Sequence, residues 1–190
     1  VVSAHSGDRY PAGFLAQAAI GRDRLRRSED WAVDRLADAV PSFGAPLLAA
    51  TFPRTYLDAN REPFELDQSM FASPLPDYVN RTSASARAGL GTLHRLAADG
   101  SAIYRGPIAF ADALARVEKL YLPFHDQLDR LVRATHRRFG ICILLDCHSM
   151  DATTAAEHGD ADGPTHFVLG DLNGTSAIHP VVARAEKADA

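Results

Sequence analysis

"ICILLDCHSM", residues 141–150, decides the fold. Ile141 to Leu145 form a short aliphatic run of the length of a buried strand. Its exit delivers an acid, a thiol, an imidazole and a hydroxyl in Asp146, Cys147, His148 and Ser149. Open α/β sheets gather their working groups there, just beyond the carboxyl ends of parallel strands. Upstream, Phe110, Leu114, Val117, Tyr121, Phe124, Leu128, Leu131 and Val132 hold a helical stripe from a start at Pro107 to a stop at Gly140, with a kink expected at Pro123. At the other end of the chain, Val1-Val2-Ser3-Ala4 repeats the design of strand followed by His-Ser, in His5-Ser6. Ser28 reads as the N-cap of a helix carrying Val33, Leu36, Ala37 and Val40 on one face, ended by Pro41 and Gly44. Pro46–Phe52, Tyr56–Asp58 and His166–Leu169 read as further extended pieces, and 59–100 as a long, turn-rich insertion. This order of strands, helices and a long crossover predicts an α/β fold with a largely parallel sheet.

A length of 190 residues fits one domain with a real core. The net charge of −4 excludes the basic field that nucleic-acid binders use. No apolar run reaches the roughly 18–20 residues that span a bilayer, and no signal peptide opens the chain. Cys142 and Cys147 sit on one strand and its exit, which makes a reducing cytoplasm the expected compartment and a disulfide framework unexpected.

Parallel strands place the His5 and His148 imidazoles at one edge of the sheet. Two histidines plus a carboxylate make a three-ligand zinc site with one open position. An isolated histidine after a strand more often bonds a loop carbonyl; a matched pair shifts the balance to function. Asp8, Glu29 and Asp30 are the candidate third ligands. Spacing does not choose among them, and acids at a helix start are also explained by the macrodipole. In Asp58-Ala59-Asn60-Arg61-Glu62, Arg61 with Asn60 suits a carboxylate, and a surface pair with Glu62 is the plainer alternative. Cys147 beside His148 raises a thiol nucleophile, but neighbours on an extended chain point to opposite sides. Ser6 and Ser149 lack a G-x-S-x-G elbow. His125, one helical turn after Tyr121, reads as a packed polar residue.

Seven stretches, in order, resemble the N-formylglutamate amidohydrolase (deformylase) family: "HSGDRYP" (5–11), "SEDWAVDRL" (28–36), "GAPLLAATFPRTYLDANREPFELD" (44–67), "GLGTLHRLAADGSAIYR" (89–105), "YLPFHDQL" (121–128), "LLDCHSM" (144–150) and "VLGDLNGTS" (168–176). That family resembles a distant branch of the zinc carboxypeptidase and aspartoacylase group. The resemblance implies a three-layer α/β/α fold around a mixed, largely parallel sheet. It implies hydrolysis of N-formyl-L-glutamate to formate and L-glutamate, a late step of bacterial histidine breakdown, with one zinc ion. By resemblance His5, Asp30 and His148 match the metal ligands, and Asn60-Arg61 the pair that holds a substrate carboxylate. Leu172 and Asn173 depart from the Arg and aromatic usual in the family. The family's Gln-Ile-Glu-like strand, whose Glu resembles the general base, has no match here. That base is therefore expected beyond Ala190, and 1–190 is expected to be one domain lacking its C-terminal segment. The expected partner is a small N-acylated acidic amino acid. The alternatives are a zinc hydrolase of another acyl amino acid or peptide, a non-catalytic carboxylate-binding protein on the same scaffold, and a thiol hydrolase through Cys147.

Overall fold

Val2–Ser3 (β1) is flanked on both sides by parallel partners in the computed structural model, which describes residues 1–157 and 167–187. On one side it pairs with Leu48–Ala49 (β2) in the register Val2 to Leu48 and Ser3 to Ala49, inside the expected Pro46–Phe52 piece. On the other, Val2 N–H donates to the Leu145 carbonyl and Cys147 N–H to the Val2 carbonyl, both at 2.8 Å, forming a parallel bridge to Asp146. The α/β order with parallel pairing therefore holds, and the exits after β1 and after Leu145 lie side by side. The described residues fall into two compact units, Val1–Ser149 and Met150–Ala190. In the second, Ala152–Glu157 and His179–Glu186 are helical. A turn between them puts Leu172, Asn173 and Gly174 at positive φ, and Asp171 caps it by accepting from Gly174 N–H at 3.0 Å.

Several expected elements differ. Ile143, Leu144 and Leu145 are about half exposed rather than buried, because their segment lies at the edge of the sheet and pairs only through its last residues. The helix expected from Ser28 is broken up: Arg22–Arg26 precedes it, and only Val33–Leu36 remains α-helical, before a 3-10 turn at Val40–Phe43. Ser28 accepts from Ala98 N–H instead of capping, Asp30 N–H donates to the His5 carbonyl, and Ala32 takes a left-handed φ of 62°. Leu36, meant for the core, is 84% exposed. Tyr56–Asp58 is not a strand: Tyr56 ends a turn over 54–56, its N–H closing onto the Pro53 carbonyl, and Leu57 and Asp58 are irregular. Phe167–Leu169 is not a strand, and His158 and His166 lie outside the described residues.

The long crossover helix starts at Phe110 rather than at Pro107, in Phe110–Arg116. It continues through one wide π turn, Val117–Tyr121, into Leu122–Phe139 and stops at Gly140 with φ 73°. The π turn adjoins Pro123, which has no N–H to give the preceding turn, and a wider turn absorbs such a gap. Val117, Tyr121 and Phe124 of this helix close the core over Val2, Ala4, Ala50 and Phe52.

The insertion 59–100 is turn-rich as expected, yet it builds its own core: Leu66 and Leu93 are fully buried, packed with Met70, Phe71 and Leu75. Its short helix Ala84–Ala88 is capped by Ser83, whose Oγ accepts from Ala86 N–H at 3.0 Å and donates to Glu65. Ser83→Ala is expected to cost about 1–2 kcal/mol, because it removes a cap and leaves a buried carboxylate short of a donor. Urea unfolding measures this; a change within about 0.3 kcal/mol would show that the cap contributes nothing.

Candidate metal centre

His5 leaves β1 buried at 3% exposure, and His148 follows the Val2–Asp146 bridge. Their ring centroids are 4.9 Å apart. Asp30 sits between them, with its Oδ2 2.7 Å from His148 Nδ1 and 3.4 Å from His5 Nδ1. One ligand atom from each of His5, Asp30 and His148 lies within 4.8 Å of the others.

The tautomers follow from acceptor-only carboxylates. His5 Nε2 stands 2.7 Å from Asp58 Oδ1, so it must donate. A neutral His5 ring then keeps its lone pair on Nδ1, and that atom is buried without a hydrogen-bond partner. Such an atom is costly in a protein interior unless it has a use. His148 is placed the same way but with a carboxylate at each ring nitrogen, Nε2 2.9 Å from Asp146 Oδ2 and Nδ1 2.7 Å from Asp30 Oδ2, so without an ion it donates from both. Both histidines thus offer Nδ1 inward and rest Nε2 on a carboxylate, the arrangement that orients metal-binding imidazoles. Two ring nitrogens and a carboxylate oxygen are a fitting donor set for zinc.

Without an ion, the acids act on the imidazoles. Hydrogen bonds to Asp146 and Asp30 push the His148 pKa up to about 10, against partial burial. For His5, burial opposes protonation, but Asp30 and Asp58 outweigh it and raise its pKa. Asp30 is held far below the usual carboxylate range by His148 and His5, despite its burial.

Asp58 is the hub beneath the site and is fully buried. Its Oδ1 accepts from His5 Nε2 and from Asn60 N–H at 2.9 Å. Its Oδ2 accepts from Arg54 Nη2 at 3.0 Å and His94 Nε2 at 3.1 Å. Four donors meet about four lone-pair sites, so the carboxylate is saturated. Burial alone would raise its pKa; His5 and His94 reverse that and hold it well below the usual range. Burial lowers the pKa of His94, whose Nδ1 has no partner.

Of the remaining sequence candidates, Asn60 reaches the cluster, donating from Nδ2 to Asp146 at 2.6 Å. Arg61 does not pair with Glu62. It donates to Ser85 Oγ at 3.0 Å and lies 3.9 Å from Asp58. Glu29 is engaged elsewhere, by Tyr10 Oη at 2.7 Å and Arg26 Nε at 3.1 Å, and Asp8 is exposed, so Asp30 is the acid brought to the histidines. Burial and the Asp146 charge raise the Cys147 pKa, opposite to what a thiol nucleophile needs. Ser6 bonds Ser3 at 2.7 Å. Sequence reasoning missed Asp58, Asp146 and His94 as supports. Asp58 and Asp146 stood next to the residues it singled out, and His94 carried no signal.

Fold and site together define an α/β protein with a candidate His-Asp-His metal centre at the exit of adjacent parallel strands. The chain belongs to the N-formylglutamate amidohydrolase family, whose model matches residues 1–189. It is 26% identical over 187 residues to an N-formylglutamate deformylase of Pseudomonas putida, covering 94% of this chain and 60% of that protein. The chain thus spans about three fifths of that relative's length. The crystal structure of an N-formylglutamate amidohydrolase from Ralstonia eutropha JMP134 superposes with a TM-score of 0.85 at 34% identity, over 98% of this chain and 67% of that one. Among the described residues, no helix is long and apolar enough to cross a membrane.

Proposed function

We propose that this chain carries the zinc centre of an amidohydrolase that cleaves N-formyl-L-glutamate to formate and L-glutamate, a step of histidine degradation in the cytoplasm. On this reading residues 1–190 form one domain of the three-layer zinc-exopeptidase type. The observation that carries the reading is the buried, unpartnered Nδ1 of His5 directed at Asp30 and His148. His5, Asp30 and His148 would hold the ion, and a zinc ion bound there supplies a polarised carbonyl and a water whose pKa falls to roughly 7.

The chain's own residues do the rest. Asp58 and Asp146 each accept from an imidazole Nε2, which turns Nδ1 of His5 and of His148 toward the ion. Arg61 and Asn60 anchor a substrate carboxylate, Arg61 through a side chain that is one-third exposed. Glu29 and Asp146 are both engaged by donors, so neither is assigned the general base.

Purified protein is expected to contain about one zinc per chain and to hydrolyse N-formyl-L-glutamate. A chelator is expected to abolish turnover and added zinc to restore it, while an alkylating reagent leaves it intact. A panel of formyl, acetyl and succinyl substrates tests the acyl group, because pocket size sets that choice. Turnover that survives complete metal removal would refute the reading. Metal and glutamate binding without turnover of any acyl substrate would replace it with a carboxylate-binding protein.

A further inference from the structure

Tyr121 and His125 stand one turn apart on the crossover helix, outside the metal cluster. Their rings are in tilted contact, with centroids 4.2 Å apart. Tyr121 Oη donates to the Arg61 carbonyl at 2.8 Å, and His125 Nε2 donates to the Ala59 carbonyl at 2.9 Å. A buried tyrosine or histidine needs some partner for its polar atom, and any nearby acceptor would satisfy it. Here both acceptors fall within one tripeptide, on either side of Asn60. The Asn60 N–H is tied in turn to Asp58, and its side-chain amide to Asp146. The wide π turn Val117–Tyr121 ends at the first of the two residues, and single π turns in α-helices often mark functional sites. Both bonds leave the helix for the loop.

We propose that Tyr121 and His125 are positioning residues that hold the backbone of Ala59-Asn60-Arg61, so that the side chains of Asn60 and Arg61 present themselves to the carboxylate of an acidic N-acyl amino acid. The identity of that ligand rests on the proposed function; the hold on the loop does not. The pair acts on substrate binding: neither residue bonds His5, Asp30 or His148, and the loop's own contact with a proposed ligand is Asn60 Nδ2, 3.1 Å from His148 Nε2.

The test uses Tyr121→Phe, His125→Leu and His125→Gln, the last keeping an N–H at the reach of Nε2. Amides of Asn60 and Arg61 are expected to exchange with solvent at least about tenfold faster in Tyr121→Phe and His125→Leu, with unchanged protection along 124–138 and near wild-type rates in His125→Gln. In the same variants the KM for N-formyl-L-glutamate is expected to rise about tenfold with kcat within about threefold, and zinc affinity to stay put. Wild-type exchange at Asn60 and Arg61, or faster exchange spread evenly along the helix, overturns the proposal whatever the activity. Faster loop exchange with unchanged KM also overturns it, by confining the pair to the fold. Absence of turnover in the wild-type protein sinks the proposed function instead, and the exchange data then decide the positioning claim by themselves.

Discussion

Asp58→Ala is expected to cost about 3–5 kcal/mol, the largest loss of stability from any single side chain around the site. The carboxylate is fully buried and receives His5, Asn60 N–H, Arg54 and His94. Deleting it leaves those donors without an acceptor, at about 1–3 kcal/mol for each one that water cannot reach. His94, 3% exposed, has no route to water, whereas the Arg54 side chain is 23% exposed and recovers part of its loss. Removal of the buried charge itself returns some desolvation energy, which is why the net falls below the sum. Asp58→Asn is not a rescue, because an amide adds N–H donors to a point already supplied with four. Urea unfolding of the metal-free protein measures the effect, and zinc titration of whatever remains folded should show affinity weakened about 10–100-fold, as for other carboxylates behind a metal-binding histidine. A variant within about 1 kcal/mol of the parent would show that Asp58 is not the hub its contacts describe.

The strand exits bearing His5 and His148 were legible because strand periodicity and parallel order are local signals, and the geometry followed from them. Asp30 was not legible from spacing: Asp8 and Glu29 were equal candidates, and resemblance alone favoured it. What separates them is tertiary, since Tyr10 and Arg26 occupy Glu29 while Asp8 stays in solvent. The same pull explains the failed helix from Ser28. Its apolar spacing was helical, but Asp30 N–H serves the His5 carbonyl and Ala32 accepts a left-handed backbone, a conformation rare outside glycine. Local propensity lost there to the demands of the site, where such conflicts are expected. Asp58 lay in plain view beside Asn60-Arg61, yet its partners at 5, 54 and 94 meet only through the fold. The insertion 59–100 showed no period because its core is assembled from turns, in which Leu66, Thr92 and Leu93 are buried one at a time. The aliphatic run Ile141–Leu145 misled in the other direction: its composition is that of a buried strand, but it runs along the sheet edge with its side chains half exposed.

His148→Ala is expected to separate metal binding from folding, which Asp58→Ala does not. The His148 side chain is 38% exposed, and its contacts run to Asp30, to the equally exposed Asp146 and to the Asn60 amide. Its loss opens no cavity in the core and leaves Asp30 beside His5 and Ser149. The proposed metal site, in contrast, drops from two ring nitrogens to one. Structural zinc sites with four ligands bind with about 10–16 kcal/mol, so one ligand accounts for about 3 kcal/mol, or roughly two orders of magnitude in affinity. Zinc titration against a competing chelator should therefore show a loss of about 100-fold, with hydrolysis of N-formyl-L-glutamate falling below detection at stoichiometric zinc. Circular dichroism and the urea midpoint of the metal-free variant should stay close to the parent. Wild-type zinc affinity in this variant would remove His148 from the metal site. Unfolding would instead make the imidazole a structural clamp between Asp30 and Asp146, and the two results cannot be confused because one is read on folded protein and the other on its loss.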